Sequence, residues 1–305
     1  PYNYTPTEYV TILFLTLFSV SLALHTGQAI YFRTWWAIPT MIFSGLLEVL
    51  GWSARLWSSK SPSILSPYEM QLTCTILAPT PLLAGNFIIL GSIIQQLGPK
   101  YSRIPPWWYT IIFCSCDLIS LLVQAIGGGM AATAAGKNKD PTPVGAFVFG
   151  GHIMLGGIAF QMATITVYIF CAVEFFIRYF EDKPLIKRRC FFKLEAKSDE
   201  GSFDTVVAPI EGDRGLMDTK LEIMTTALVF STICIFIRAV YRTIELSDGW
   251  SGRIISTQLY FNVLDGAMIV AAMYTINIAH PGLLLDTSLS EFRDVIKNIC
   301  AQIVA

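Results

Sequence analysis

The chain has 305 residues, 53% of them hydrophobic and only 14% charged, with a formal net charge of −1. Soluble domains carry roughly 25% charged residues, so this composition argues against an ordinary water-soluble domain. A charge near zero leaves no basic field to hold nucleic acid. The apolar residues fall in long blocks rather than at amphipathic spacing, and a membrane span needs about 20 mostly apolar residues.

Seven such blocks follow in chain order, approximately at 9–32, 36–57, 69–97, 107–135, 146–178, 217–243 and 253–284. No cleavable signal peptide is recognisable, so the first span is expected to insert the chain. The chain opens on Pro1 rather than Met, which reads as a trimmed start. The third span is "QLTCTILAPTPLLAGNFIILGSIIQQL", where Pro79 and Pro81 predict a kink. The fourth ends in "QAIGGGMAATAAG", whose small residues allow close helix approach. Spans of this length can only be helices, because each must satisfy its own backbone groups. The expected fold is therefore all-α, a polytopic membrane protein with seven transmembrane helices. The expected organisation is a transmembrane domain over 1–285 with a 5–6 loop at about 179–216, then a tail over 286–305.

Basic residues orient the bundle. The 5–6 loop holds "KPLIKRRCFFK", and Arg33, Lys100, Arg103, Arg293 and Lys297 fall on its side, against Lys60, Lys137, Lys139 and Arg253 opposite. The positive-inside rule then puts the N-terminus outside and the loop and tail in the cytosol. "NYT" makes Asn3 a glycosylation candidate on the outer side, with Pro6 close behind it. Trp35, Trp36, Trp57, Trp107 and Trp108 stand at span ends, where interfacial anchors belong. The seven cysteines lack metal-ligand spacing and mostly read as small buried hydrophobes. Cys190, beside "KRR", is either a free thiol or a palmitoylation site.

An ionisable group at mid-depth costs about 2.5–3.5 kcal/mol, so each polar residue inside a span needs a reason. Glu48 and Arg55, Asp117 and Gln124, Arg238 and Glu245, and Gln258 and Asp265 are each seven apart. Seven residues return to nearly the same helix face two turns on, roughly 10 Å along the axis. Arg242 shares the face of Arg238 and Glu245. Four helices thus carry narrow polar stripes that must face the interior. Most of these charges belong to the half of the bundle nearest the N-terminus, and they nearly balance. A charge network that only locks helix packing is the bland alternative; four stripes exceed what a lock requires.

Sharper chemistry is not written here. No HExxH, GxSxG or P-loop is present, so nothing points to an enzyme and no cofactor is expected. His25, His152 and His280, one in each of three spans, give only weak zinc candidates. His280 precedes Pro281 and Gly282 and reads as a helix end.

The stretches "EVLGWSAR", "LAPTPLLAGNFIILG", "DLISLLVQAIGGG", "GGHIMLGGIAFQ", "RAVYRTIELSDGWSG" and "LYFNVLDGAMIVAAMYTINIAHPG" together resemble the fungal RTA-like proteins, also called the lipid-translocating exporter family. The resemblance spans nearly all of 2–285. It implies a multi-pass plasma-membrane protein linked to translocation or release of sphingoid long-chain bases, to resistance against aminosterols and other membrane-active toxins, or to porphyrin uptake. It also implies roles for Glu48, Arg55, Asp117, Gln124, Gln161, Arg238, Arg242, Glu245, Asp265, Asn277 and His280. Where the family usually has glutamate this chain has Gln258, and Phe87 and Ser92 stand where tyrosine and arginine are common.

A membrane lipid or sphingoid base is accordingly the expected ligand, with Glu48, Glu245 and Asp265 as contacts for an ammonium. Arg55, Arg238 and Arg242 would balance them or bind phosphate or hydroxyl. The remaining alternatives are a seven-helix sensor whose 5–6 loop binds a cytosolic partner, a lipid hydrolase using His25, His280 and an aspartate with or without zinc, and a haem or porphyrin carrier. Monomer and homodimer both stay open.

Overall fold

The computed structural model describes residues 6–61, 64–136, 144–184, 215–248, 252–254 and 256–285. Asn3, Lys137, Lys139, Cys190, Arg293 and Lys297 lie outside the described residues. Every regular element among the described residues is helical. Seven helices are long and apolar enough to cross a bilayer: Glu8–Tyr31, Trp35–Lys60, Ser66–Leu97, Pro106–Met130, Phe149–Phe180, Thr219–Ser247 and Gln258–Leu284. The expected spans agree with these to within a few residues.

The third span is the hub. Its second half, Pro79–Leu97, is buried on almost every side, whereas the first and fourth spans turn most of their surface outward. Two aromatic clusters fill the core. Trp52 stacks on Phe14 at 4.4 Å and meets Phe261 at 5.6 Å. Phe87, Phe113 and Tyr168 form the other, with ring centroids 4.7–5.6 Å apart. The fourth and fifth helices pack backbone to backbone. A Cβ on Gly127 would stand 2.5 Å from the Met154 nitrogen, and one on Gly157 would stand 3.0 Å from the Ser120 carbonyl. Only glycine admits that approach.

Among the departures from α-geometry, two shape the polar interior. The third span breaks at Ala78, between a helix over Leu65–Leu77 and one over Pro79–Leu97. Neither Pro79 nor Pro81 has an N–H, and their rings obstruct the preceding turn. The seventh span starts as a short α-turn, Gln258–Tyr260, and then widens to a π-helix over Phe261–Ala267. The backbone at Gly266 lies against Trp52, where a Cβ would meet the indole at 2.7 Å.

The tryptophans expected as anchors stand at span ends, and Trp35, Trp57 and Trp108 are exposed there. At the other end from the N-terminus, Arg103 donates to Glu174 at 2.7 Å and Arg178 pairs with the same carboxylate at 2.6 Å.

Candidate functional site

Three spans build a buried ion network in the half of the bundle that holds the N-terminus. From the sixth span, Arg238 and Arg242 stand one turn apart. Arg238 Nε donates to Asp265 Oδ1 at 2.8 Å. Arg242 donates to both oxygens of Asp265, from Nε at 3.0 Å and from Nη2 at 2.7 Å. Its Nη1 reaches Glu245 Oε2 at 2.7 Å, and the Tyr241 hydroxyl donates to Glu245 Oε1 at 2.8 Å. All these charged groups are no more than 4% exposed. Paired, charge-assisted bonds of this kind are what make buried ions tolerable.

The third span supplies the piece that charge alone does not predict. In a regular helix the residue at 79 would donate to the carbonyl of Thr75. Proline cannot, so that acceptor is released into the core. Arg238 Nη2 donates to the Thr75 carbonyl, and Arg242 Nη2 donates to the Thr75 hydroxyl at 3.1 Å. The hydroxyl in turn donates to the Gln71 carbonyl at 2.9 Å. The proline break and the two arginines are one construction.

The second span lies against the same point. Gly51 lets it approach, since a Cβ there would stand 2.9 Å from Thr75 Cγ2. Glu48 is buried within electrostatic reach of Asp265, Arg238 and Arg242. Arg55 donates to Gln71 at 3.2 Å and lies over the Phe261 ring at 4.5 Å. Arg242 lies over that same ring at 5.3 Å, so Phe261 separates two guanidiniums and attracts both. Three carboxylates (Glu48, Glu245, Asp265) here answer three arginines (Arg55, Arg238, Arg242).

A neutral chain adjoins the network. Gln124 Nε2 donates to Gln161 Oε1 at 3.1 Å, and Gln161 Nε2 donates to the Thr80 hydroxyl at 2.7 Å. Gln124, Gln161, Pro79, Arg238 and Arg242 line one small cavity of about 10 Å³, room for a single water. Asp117 is 1% exposed and stands apart: neither carboxylate oxygen has a hydrogen-bond partner among the described residues.

Three of the sequence candidates lie elsewhere. Gln258 accepts from Thr7 at 3.0 Å, at the start of the first span. The π-turn between Gln258 and Asp265 rotates the helix face, so seven residues no longer return to one stripe. Asn277 and His280 belong to the opposite end. Asn277 donates to the Ser21 hydroxyl at 2.7 Å, and Gln28 donates to the Asn277 carbonyl at 2.8 Å. His280 caps the short helix Pro281–Leu284, accepting from the Gly282 N–H at 3.1 Å, and stacks on Phe32. His25 is buried close by, near the Met273 backbone. Among the described residues no three His, Cys, Asp or Glu side chains gather as a metal site.

Thr75, Gln71, Tyr241 and Phe261 were not singled out from the sequence. The signal for Thr75 was present: it stands four residues before Pro79, where a freed carbonyl must find a donor.

A model of the family described as RTA1 like protein matches residues 41–288. The protein named sphingoid long-chain base transporter RSB1, from Saccharomyces cerevisiae, is 28% identical over 280 residues, covering 89% of this chain and 70% of that protein. Protein RTA1 of the same yeast is 26% identical over 305 residues, covering 92% and 84%. Protein RTM1 is 24% identical over 243 residues, covering 79% and 66%. No solved structure matches.

Proposed function

Because the chain belongs to the RTA1-like family and is a multi-pass membrane protein, we propose that it binds an amphipathic lipid, a sphingoid long-chain base or related amine, and translocates or releases it. The observation that carries this reading is the likeness to a protein named as a sphingoid long-chain base transporter over 89% of the chain, a stretch long enough to take in every helix of the polar interior. An amino-diol headgroup needs carboxylates for its ammonium and polar partners for its hydroxyls. The interior offers both in one half of the bundle, while the outer faces of the helices stay apolar for the tail.

In this arrangement Asp265 and Glu245 are committed to arginines, and Glu48 lies within electrostatic reach of Arg238 and Arg242. The headgroup's hydroxyls reach Asp265 and Glu245 by exchanging partners with Arg238 or Arg242, and the same exchange loosens the third, sixth and seventh spans from one another. Gln124 and Gln161 receive hydroxyls beside them, while Gln258 and Asn277 stand at the two ends of the path. The working orientation is N-terminus outside with the 5–6 loop and tail in the cytosol, at the plasma membrane, and export of toxic amphiphiles is the expected benefit.

The test is native mass spectrometry of the gently purified protein beside Asp265→Asn. The expected result is a co-purified long-chain base on the parent and its loss from the folded variant. The same lipids on both proteins would assign the network to packing alone.

A sensor reading is supported by one further observation. Both edges of the 5–6 loop are stitched to the far end of the third span: Gly215 N–H donates to the Leu97 carbonyl at 3.2 Å, Tyr179 donates to the Gly215 carbonyl at 2.8 Å, and Tyr101 bonds Asp182. The span that braces the ion network thus also touches the loop. Deleting 193–216 separates the readings, because a transporter keeps moving lipid without it and a sensor loses its output.

A further inference from the structure

Asp265 and Glu245 are engaged by arginines, and Glu48 lies within electrostatic reach of two; one further buried carboxylate has neither. Asp117 lies in the fourth span, 1% exposed, with both oxygens lacking hydrogen-bond partners among the described residues. The hydroxyl best placed along its helix, Ser120, donates to the Asp117 backbone carbonyl at 2.7 Å instead. Among the described residues no arginine or lysine is paired with it. Two turns further along the same buried face, Gln124 Oε1 is a second unmet acceptor, on the cavity that Gln161 and Arg242 share.

An unpaired carboxylate anion in a low-dielectric interior is strongly unfavourable. Such a group holds a proton or a cation. Resting on the lipid-amine reading above, we propose that Asp117 is the counter-charge for the ammonium of the bound amine, and that it carries a proton when no amine is present. Loading is then an exchange: the R–NH3+ group enters, the Asp117 carboxyl releases one proton to water, and the net charge of the site does not change. The Arg–carboxylate network lies beyond Gln124, two turns along the fourth span, and Asp117 reads the ligand's charge.

The surroundings keep this exchange local. On its own helix the titratable neighbour is Cys114, within electrostatic reach of Asp117. The second half of the third span, Pro79–Leu97, has no titratable side chain; its first half has Tyr68, Glu69 and Cys74, the last within reach of Glu48. On the fifth span His152 points outward and the Tyr168 hydroxyl reaches the Asn86 carbonyl at 3.5 Å.

Sphinganine and N-acetylsphinganine are the probes. They share tail and hydroxyls, and only the first carries an ammonium. The parent protein is expected to prefer sphinganine by about tenfold or more, the worth of one charge-assisted bond. It should release about one proton per sphinganine bound, by the exchange above, in weakly buffered solution. Asp117→Asn is expected to bind both probes alike and to release no proton. If the parent binds neither probe, the lipid-amine reading fails and this inference with it. If the parent prefers sphinganine and folded Asp117→Asn keeps that preference, the reading survives and Asp117 is only a packed, protonated side chain. Should Asp117→Asn not fold, proton release from the parent alone decides: none on sphinganine binding overturns the exchange.

Discussion

The two ends of this bundle solve the same problem with different chemistry. Toward the N-terminal half, the second, third, sixth and seventh spans meet through full charges, with two arginines on Asp265 and a proline-freed carbonyl as the extra acceptor. Toward the other end, the first and seventh spans meet through neutral groups: Ser21, Gln28 and Asn277. Neutral hydrogen bonds suffice to tie two helices, so charge is not required for packing here. The costlier arrangement is used where four spans converge, and its members can only be exchanged as sets. Breaking one leaves an uncompensated ion; breaking a neutral bond leaves one unmet dipole.

The largest expected effect therefore comes from Arg242→Met. It strips Glu245 and half of Asp265 of their guanidinium, and should cost about 3–5 kcal/mol in thermal unfolding in detergent. Adding Asp265→Asn should cost less than the sum of the two single changes, because the orphaned charge goes with it. Additive costs would show that the two side chains do not interact.

Pro79→Ala comes next. It restores an N–H that competes with Arg238 for the Thr75 carbonyl, with an expected loss of about 1–3 kcal/mol for the displaced guanidinium. Hydrogen exchange at residue 79 checks the cause, since a protected new amide is expected there. On the neutral side, Asn277→Ala should cost about 1 kcal/mol, measured by the same melts; a loss as large as that of Arg242→Met would erase the contrast between the two ends. The smallest effect belongs to Gln258→Glu. The Thr7 hydroxyl donates to an oxygen that glutamate also has, so stability should change by about 0.5 kcal/mol or less. A gain in amine binding by that variant would extend the site toward the first span.

The seven helices were legible because hydrocarbon admits little else, and blocks of about 20 apolar residues are hard to miss. Their ends were less so: Arg33 and Asp182 close helices at positive φ (55° and 52°), a conformation usually given to glycine, while Gly98 closes the third span at 126°. The rule of seven placed Glu48 with Arg55, Asp117 with Gln124 and Arg238 with Glu245 on common buried faces. It failed for Gln258 and Asp265, because a period cannot announce its own interruption and the π-turn lies between them. Partners across spans were not legible either. Thr75 and Gln71 are ordinary polar residues in an apolar run, and only the convergence of helices far apart in the chain gives them their work.

The Thr75 carbonyl has a consequence for biosynthesis. Its donor, Arg238, is 163 positions later in the chain. At about 5–20 residues per second, the interval between the two is on the order of ten to thirty seconds. Over that time the broken third span waits with an acceptor that its own helix cannot serve, and Arg238 and Arg242 then wait in turn for Asp265. The bundle closes late and in order, and a chain stalled before the seventh span presents Arg238 without its carboxylate, and Arg242 with Glu245 alone, to the machinery that inspects new membrane proteins.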